Sequence, residues 1–376
     1  MKSKAIVLLG MAYPGGATMH FAQLGCALFS ACKEERDFYY ASIDREADNG
    51  VWQLVHTRIP NKAVLVEHGF ESLVKRVVAL AKDYERVVVH CGGGWFQTRA
   101  FVLAKWRLPR SLSRRVKLVV TTHSFRNGTW QRIPMSMLQC GLYLFFCVKV
   151  VFQCQYAQRQ FAGSWLLRLF KKASVVPLGC EPFVSEKHSD LVDRTKFNIV
   201  YLSAFRPGKM HEWLVDAMAP VLRKYDDVRL LFCGRGDGQI VACVRNRIRA
   251  LGLEGKVLLT GHVPREDVPA VLHDADCAIV PSRSETFGHN FLEPMLAGKP
   301  VIGTRVGVGC DIIKEGETGF FIDLKHPESV EVAFERLLAS RERCVEMGAR
   351  ARSITAAVYT HANVARLLMA VYDEVK

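Results

Sequence analysis

"PSRSETFGHNFLEPMLAGKPVIG" runs from Pro281 to Gly303 and reads as a strand end, a polar loop, a short helix and the next strand. Gly298 and Pro300 close the helix, as a C′ glycine followed by a proline does. Pro294 has no N–H and is tolerated in a first helical turn, so the helix is expected to start within His289–Glu293. That leaves "SETFGHN" as a loop above a strand end, with the N–H groups of His289 to Phe291 at the helix start. Phosphate oxygens are natural partners for such groups. Glu285 then lies in the loop and Glu293 in the first turn, facing one crevice. Carboxylates so placed accept hydrogen bonds from neighbouring hydroxyls of a ribose or hexose. The plainer reading is that Glu293 complements the helix dipole and Glu285 is a loop acid.

The same strand–helix rhythm extends in both directions. "KAIVLLG", "FYYASID", "RVVVHCG", "KLVVTTHS", "KVVFQCQ" and "ASVVPLG" read as strands in the first half. "FNIVYLS", "VRLLFCG", "KVLLTGH", "CAIVPSR", "KPVIGTR" and "TGFFID" read as strands in the second. Each is short and almost wholly apolar, which suits parallel strands covered on both faces. With helical stretches between them, the expected fold class is α/β, built as two doubly wound Rossmann-like domains. The polar stretch "GCEPFVSEKHSDLVDRTKFN" breaks the rhythm and places a linker at about 182–196. The expected domains are 1–185, 186–358 and a C-terminal helix, 359–376, that packs back on the first domain.

Composition narrows the class. The 376 residues include 51 Lys and Arg against 37 Asp and Glu, a net charge of +14. A polyanionic partner follows: nucleotide phosphates, anionic lipid head groups or nucleic acid. No nucleic-acid-binding motif accompanies the charge, so that partner is not expected. The 12 cysteines form no CxxC pair and no zinc-spaced cluster, which reads as reduced thiols in a cytoplasmic protein. The apolar run Ala5–Met11 is followed by Pro-Gly-Gly rather than a cleavage site, so it reads as a buried first strand. "IPMSMLQCGLYLFFCVKVVFQCQ" nears the length of a membrane span, but Gln139 and Lys149 interrupt it. It splits into a buried helix through Cys147 and a strand.

In open α/β sheets, ligands sit beyond the carboxyl ends of the strands. In "YLSAFRPGKMHEWL", Arg206 and Lys209 flank a Pro-Gly turn after a strand and before a helix. Two cations beside a helix N-terminus suit a diphosphate, and they suit a solvated basic loop as well. "LLFCGRGDGQI" carries G-x-G-x-G, whose spacing is wrong for a dinucleotide fingerprint but permits close backbone approach at a strand end. Asp274 and Asp276 form a D-x-D at a strand entrance, where capping or a turn is the expected role.

These motifs together have a precedent. "ETFGHNFLEPMLAGKPVIGT" resembles the E-x7-E signature of retaining glycosyltransferases of family 4, which have the GT-B fold: two Rossmann-like domains facing a central cleft. "FRPGKMHEWLVDAM" resembles that family's Arg/Lys phosphate segment, and "GHVPREDVPAVLHDADCAIVPS" and "GVGCDIIKEGETGFFID" resemble the flanks of its signature. "PGGATMHFAQLG", "RVVVHCGG", "VVTTHS" and "VVPLGCEPF" resemble its N-terminal landmarks. The resemblance covers nearly the whole chain and is most specific over 197–323. It implies a metal-independent hexosyltransferase, with no cofactor, a nucleoside-diphosphate sugar as donor and a hydroxyl acceptor. Glu293 would hold ribose hydroxyls and Glu285 donor-sugar hydroxyls. Phe287, Gly288, His289, Asn290 and Phe291 would supply backbone donors. Arg206 and Lys209 would neutralise the diphosphate, and backbone near Val263 would hold the base. Gly15 and Gly16 match a loop close to the diphosphate. His123 matches a histidine facing the donor sugar, though a structural imidazole at a strand end fits the residues too.

For the acceptor, His90, Gly93 and Trp95 in "HCGGGWFQTRAF" are the candidates. The glycines permit an open loop, and Trp95 stacks on a sugar or tucks into the core. Downstream, Arg99, Lys105, Arg107, Arg110, Arg114 and Arg115 lie near Trp106, and "SWLLRLFKKAS" joins Arg168, Lys171 and Lys172 to Trp165, Leu169 and Phe170. Such faces suit peripheral contact with an anionic inner-membrane surface, or simply solvent. Polysaccharide, lipopolysaccharide or glycolipid synthesis is the expected setting, with a saccharide or lipid-linked acceptor. A sugar-nucleotide epimerase or hydrolase of the same fold, or a non-catalytic nucleotide–sugar binder, are the rivals.

Overall fold

Alternation along single strands accounts for the architecture. In β1 (Lys2–Leu9), Ala5, Val7 and Leu9 enter one buried cluster while Ile6 and Leu8 enter another on the opposite sheet face. In β4 (Tyr84–Cys91), Val87 and Val89 join the first cluster and Val88 the second. A segment covered on both sides has no solvent face, so Ala5–Leu9 and Val87–Val89 are apolar at every step, while Lys2–Lys4 and Glu85–Arg86 lie at the strand starts. The structure is a computed structural model that describes residues 2–9, 16–32, 36–43, 50–67, 69–92, 95–122, 133–181, 183, 185–338 and 341–375. Two compact units divide the chain: Met1–Gly179 with Tyr359–Lys376, and Cys180–Val358.

The first unit adds β2 (Asp37–Ile43), β3 (Val64–Glu67), β5 (Val116–Thr121), β6 (Cys147–Phe152) and β7 (Ala173–Val175). Their order is β3-β2-β1-β4-β5-β6-β7, with every pair parallel. β3 is the strand that periodicity missed: it has four residues at a sheet edge, only two of them buried. The helix His361–Asp373 lies on this unit through Val364, Ala365, Leu368, Val371 and Tyr372. Lys4 Nζ donates to the Tyr372 carbonyl and Arg86 Nη1 to that of Val375, satisfying carbonyls that a helix end leaves open. The stretch Ile133–Phe152 splits into a helix, Ile133–Phe146, and β6. The helix is not buried as expected: Leu138 is 56% and Phe145 83% exposed. Among its described side chains, a stripe with Cys140 and Tyr143 reaches the core, with Leu144 and Phe146 packed against it. No single described helix is long and apolar enough to cross a membrane.

The second unit holds β8 (Phe197–Leu202), β9 (Val228–Cys233), β10 (Val257–Gly261), β11 (Cys277–Val280), β12 (Val301–Thr304) and β13 (Gly319–Ile322). Their order is β10-β9-β8-β11-β12-β13, again parallel throughout. The winding direction reverses between β8 and β11, so the loops after these two strands diverge and leave a crevice. The polar stretch read as a linker is tied to this unit: Ser189 N–H and His188 Nδ1 both reach the Asp274 carboxylate, each at 2.7 Å.

Candidate functional site

Both loops at the β8/β11 crevice carry the residues singled out in the sequence. After β8, the backbone passes through a bridge between Phe205 and Gly236. A Cβ on Gly236 would stand 2.3 Å from the Phe205 carbonyl oxygen, so the G-x-G-x-G turn serves this close approach. A 3₁₀ turn, Pro207–Lys209, follows, and Met210 adopts φ +59° before the helix His211–Lys224. A non-glycine residue in the left-handed region is strained, and such strain gathers at functional sites. Tyr201 Oη donates to the Lys209 carbonyl at 2.9 Å and lies 3.3 Å from Ser282 Oγ, joining the two loops beneath the site. Arg283 N–H donates to the Gly208 carbonyl at 2.9 Å.

After β11, Glu285 is the meeting point. Lys209 Nζ is ion-paired with its Oε1. Ser282 Oγ donates to the same oxygen at 2.8 Å and Asn290 Nδ2 at 3.3 Å. All three donors converge on Oε1, which leaves Oε2 without a donor among the described residues. Arg206 is exposed, and its guanidinium makes no ion pair among the described residues. Lys209 is thus held at the loop that leads into the next helix, and Arg206 lies three residues earlier on the loop after β8.

That helix spans His289–Leu296, with Gly288 at its N-cap in the left-handed region, φ +94°. Its start lies where Pro294 placed it. Two details differ from expectation: Pro294 is the sixth helical residue and Glu293 the fifth, so both lie past the first turn. A short helix tolerates this because Phe291 N–H bonds the Gly288 carbonyl at 3.0 Å in a tight first turn, and the chain leaves the helix soon after. Phe291 is buried, so the helix is anchored by its side chain while its amino end stays at the loop. Gly307, φ +56°, lets the chain after β12 pass beneath Phe287: a Cβ there would stand 2.2 Å from the Phe287 carbonyl oxygen. Val308 N–H donates to that carbonyl at 2.6 Å, fixing the loop from below. Phe287 is itself buried, and His289 packs edge-on to it at 5.1 Å.

Glu293, 7% exposed, is not an isolated acid. Arg265 Nη1 donates to its Oε1 at 2.5 Å, and the guanidinium lies 4.9 Å from the Phe183 ring centroid. Burial, aided by the Glu293 charge, pushes the neighbouring Cys180 thiol up to about 12. Val263 follows β10 with its side chain buried, so only its backbone can meet a ligand. Arg265 and Ser282 are the two residues that sequence reasoning did not single out. Both lie inside quoted segments, "GHVPRED" and "PSRSE", but nothing in spacing says which acid each will meet. The D-x-D carboxylates hold backbone: Asp276 accepts from Asn198 N–H at 2.7 Å, and Asp274 from Ser189 and from His188 and His273. Burial raises the Asp274 carboxyl, but those donors outweigh it and hold it below its usual range.

In the first unit, Gly15, Gly93 and His123 lie outside the described residues. Gly16 opens the helix Gly16–Ala31 and Trp95 the helix Trp95–Trp106, with the Trp95 side chain outside the description. His90 requires a correction. It is 0% exposed, with Nδ1 2.5 Å from Tyr372 Oη and Nε2 2.7 Å from Thr121 Oγ1. Both nitrogens are engaged inside the sheet, so His90 ties β4 to β5 and to the C-terminal helix instead of facing an acceptor.

The fold and the crevice define a class: two Rossmann-like α/β domains of the kind found in GT-B glycosyltransferases. The chain superposes on the Anabaena protein HepE, solved in complex with UDP, with a TM-score of 0.75 at 20% identity, covering 98% of this chain and 99% of that one. Residues 185–354 match the family model described as glycosyl transferases group 1. The N-acetyl-alpha-D-glucosaminyl L-malate synthase of Bacillus anthracis is 30% identical over 49% of this chain and 45% of its own length. The GDP-mannose-dependent alpha-(1-6)-phosphatidylinositol monomannoside mannosyltransferase of Mycolicibacterium smegmatis is 24% identical over 82% of this chain and 81% of its own. Most of the curated relatives are matched over less than half of their own length.

Proposed function

We propose that the protein is a retaining glycosyltransferase that moves a hexose-type sugar from a nucleoside diphosphate to a hydroxyl acceptor. One observation carries the reading: Lys209, Glu285 and the start of the helix His289–Leu296 meet at the β8/β11 switch point. Departure of the sugar leaves negative charge on the diphosphate. Lys209, Arg206 and the helix start stabilise that charge, with single donors of this kind worth about 3–4 kcal/mol. The two cations fill the role a divalent ion would otherwise have, so the reading is metal-independent. Glu285 Oε2 receives a donor-sugar hydroxyl, and Glu293, oriented by Arg265, receives the ribose. The anomeric C–O bond breaks with its electrons passing to the diphosphate. The acceptor oxygen then bonds to that carbon from the same face, and its proton passes to the departing phosphate oxygen. No protein nucleophile is required.

A thermal-shift screen of nucleoside diphosphates and their sugar conjugates tests the reading. At least one should raise the melting temperature, because a ligand of the native state stabilises it. Arg206→Ala with Lys209→Ala should remove that shift. No response to any nucleotide, or a response indifferent to both cations, overturns the assignment.

The acceptor in this reading is a saccharide or lipid-linked saccharide of cell-surface polysaccharide, lipopolysaccharide or glycolipid synthesis, reached from the cytoplasmic face of a membrane. Support comes from the exposed Trp106, Phe145, Trp165, Leu169 and Phe170 of the first unit, set among Arg107, Arg168 and Lys171. The mannosyltransferase relative is named for a lipid acceptor. Flotation with phosphatidylglycerol vesicles should carry the protein upward; a wholly soluble fraction refutes membrane contact.

A further inference from the structure

The second unit holds a cavity of about 790 Å³ that the donor assignment does not use. It opens beside the carboxyl ends of β11, β12 and β13, and Ser282 lines it. Ser282 Oγ is also the donor to Glu285, so the cavity and the proposed reacting centre share a residue. Its charged lining is uneven. Arg283, Arg305 and Lys325 bring three cations, and none has an ion-pair partner among the described residues. Of the acids present, Glu315 is already met by Arg336 at 3.2 Å and by Phe321 N–H at 3.0 Å, and Asp323 accepts from the Lys325 N–H at 2.9 Å. The balance is positive.

One of these cations is also held in place. The Arg305 guanidinium lies 3.7 Å from the Phe321 ring centroid, which orients its donor fork. Trp213, half-buried on the helix His211–Lys224, offers an aromatic wall. An aromatic wall beside an oriented guanidinium group matches a sugar ring bearing a phosphate or carboxylate.

We propose that this cavity binds an anionic saccharide, with the sugar against Trp213 and its phosphate or carboxylate on Arg305 and Arg283. The binding does not depend on the transferase reading above.

Isothermal titration of the full chain with glucose 6-phosphate, glucuronate, glucose and inorganic phosphate tests it. One of the two anionic sugars should bind more tightly than both glucose and inorganic phosphate. Arg305→Ala should weaken that binding roughly tenfold, the loss of one charge-assisted hydrogen bond, and Trp213→Ala should weaken the sugar but not phosphate. The melting-temperature shift caused by a nucleoside diphosphate should survive both substitutions, which shows the variants are folded and separates this site from the donor site. Equal binding of inorganic phosphate and the sugar anions overturns the saccharide assignment. No anion binding, or binding that Arg305→Ala leaves intact, overturns the site.

Discussion

Replacing Glu285 by Gln separates the two tasks assigned to the crevice. In the free protein Glu285 and Lys209 hold each other, with side chains 11% and 24% exposed. A nucleoside diphosphate must draw Lys209 away from that carboxylate before it gains the full charge. Glu285→Gln keeps the side-chain volume and an oxygen able to accept from Ser282 and Asn290, and removes only the charge. Breaking a fully buried pair costs about 3–5 kcal/mol and an exposed one about 0–1. This pair lies between, so the expected loss of stability is about 1–3 kcal/mol. With the competitor gone, nucleoside diphosphate should bind as tightly as before or up to about tenfold more tightly. Sugar transfer should fall by about 10²–10³, because the group that meets the donor sugar has lost its charge. Urea denaturation, titration calorimetry with the nucleoside diphosphate and initial-rate kinetics read the three quantities separately. A tenfold loss of nucleoside diphosphate affinity would refute the competition, and unchanged turnover would refute the placement of Glu285.

Three further outcomes follow from local geometry. Burial, with the nearby Lys209 charge, holds the His211 imidazole at about 4, against an opposing Ser203 backbone contact; the unfolded chain therefore binds the extra proton between about pH 6.5 and 4. Stability from this group is complete above pH 6.5 and lost as pH falls, by about 2 kcal/mol from pH 7 to 5, so His211→Phe should flatten the pH dependence of urea midpoints by that amount. Gly307→Ala places a Cβ 2.2 Å from the Phe287 carbonyl oxygen at φ +56°; a loss of roughly 2–4 kcal/mol in the melting transition is expected, together with weaker donor binding. Tyr372→Phe removes the hydroxyl that His90 Nδ1 meets at 2.5 Å, which should cost about 1–3 kcal/mol in urea and speed amide exchange in the C-terminal helix.

The sequence by itself determined the layers. Strands apolar at every position must be covered on both faces, and that alone implies parallel sheets flanked by helices. Turn chemistry bracketed the helix His289–Leu296, since Gly298 closes it and Pro294 limits its reach, although Pro294 lies further into the helix than the first turn. Local signals failed where the deciding partner is remote. β3 has two half-buried positions in four and is a strand because β2 pairs with it. The helix Ile133–Phe146 reads as core from composition, yet one stripe suffices to anchor it and Phe145 stays outside. His90 follows the pattern of a strand-end functional residue, but Tyr372, 282 positions away, takes its Nδ1. At the site, tertiary structure decided which acid each cation meets: Lys209 with Glu285, and Arg265 with Glu293. Spacing along a chain sets which residues reach a strand end. Only the order of strands in the sheet, reversing between β8 and β11, decides which ends lie side by side.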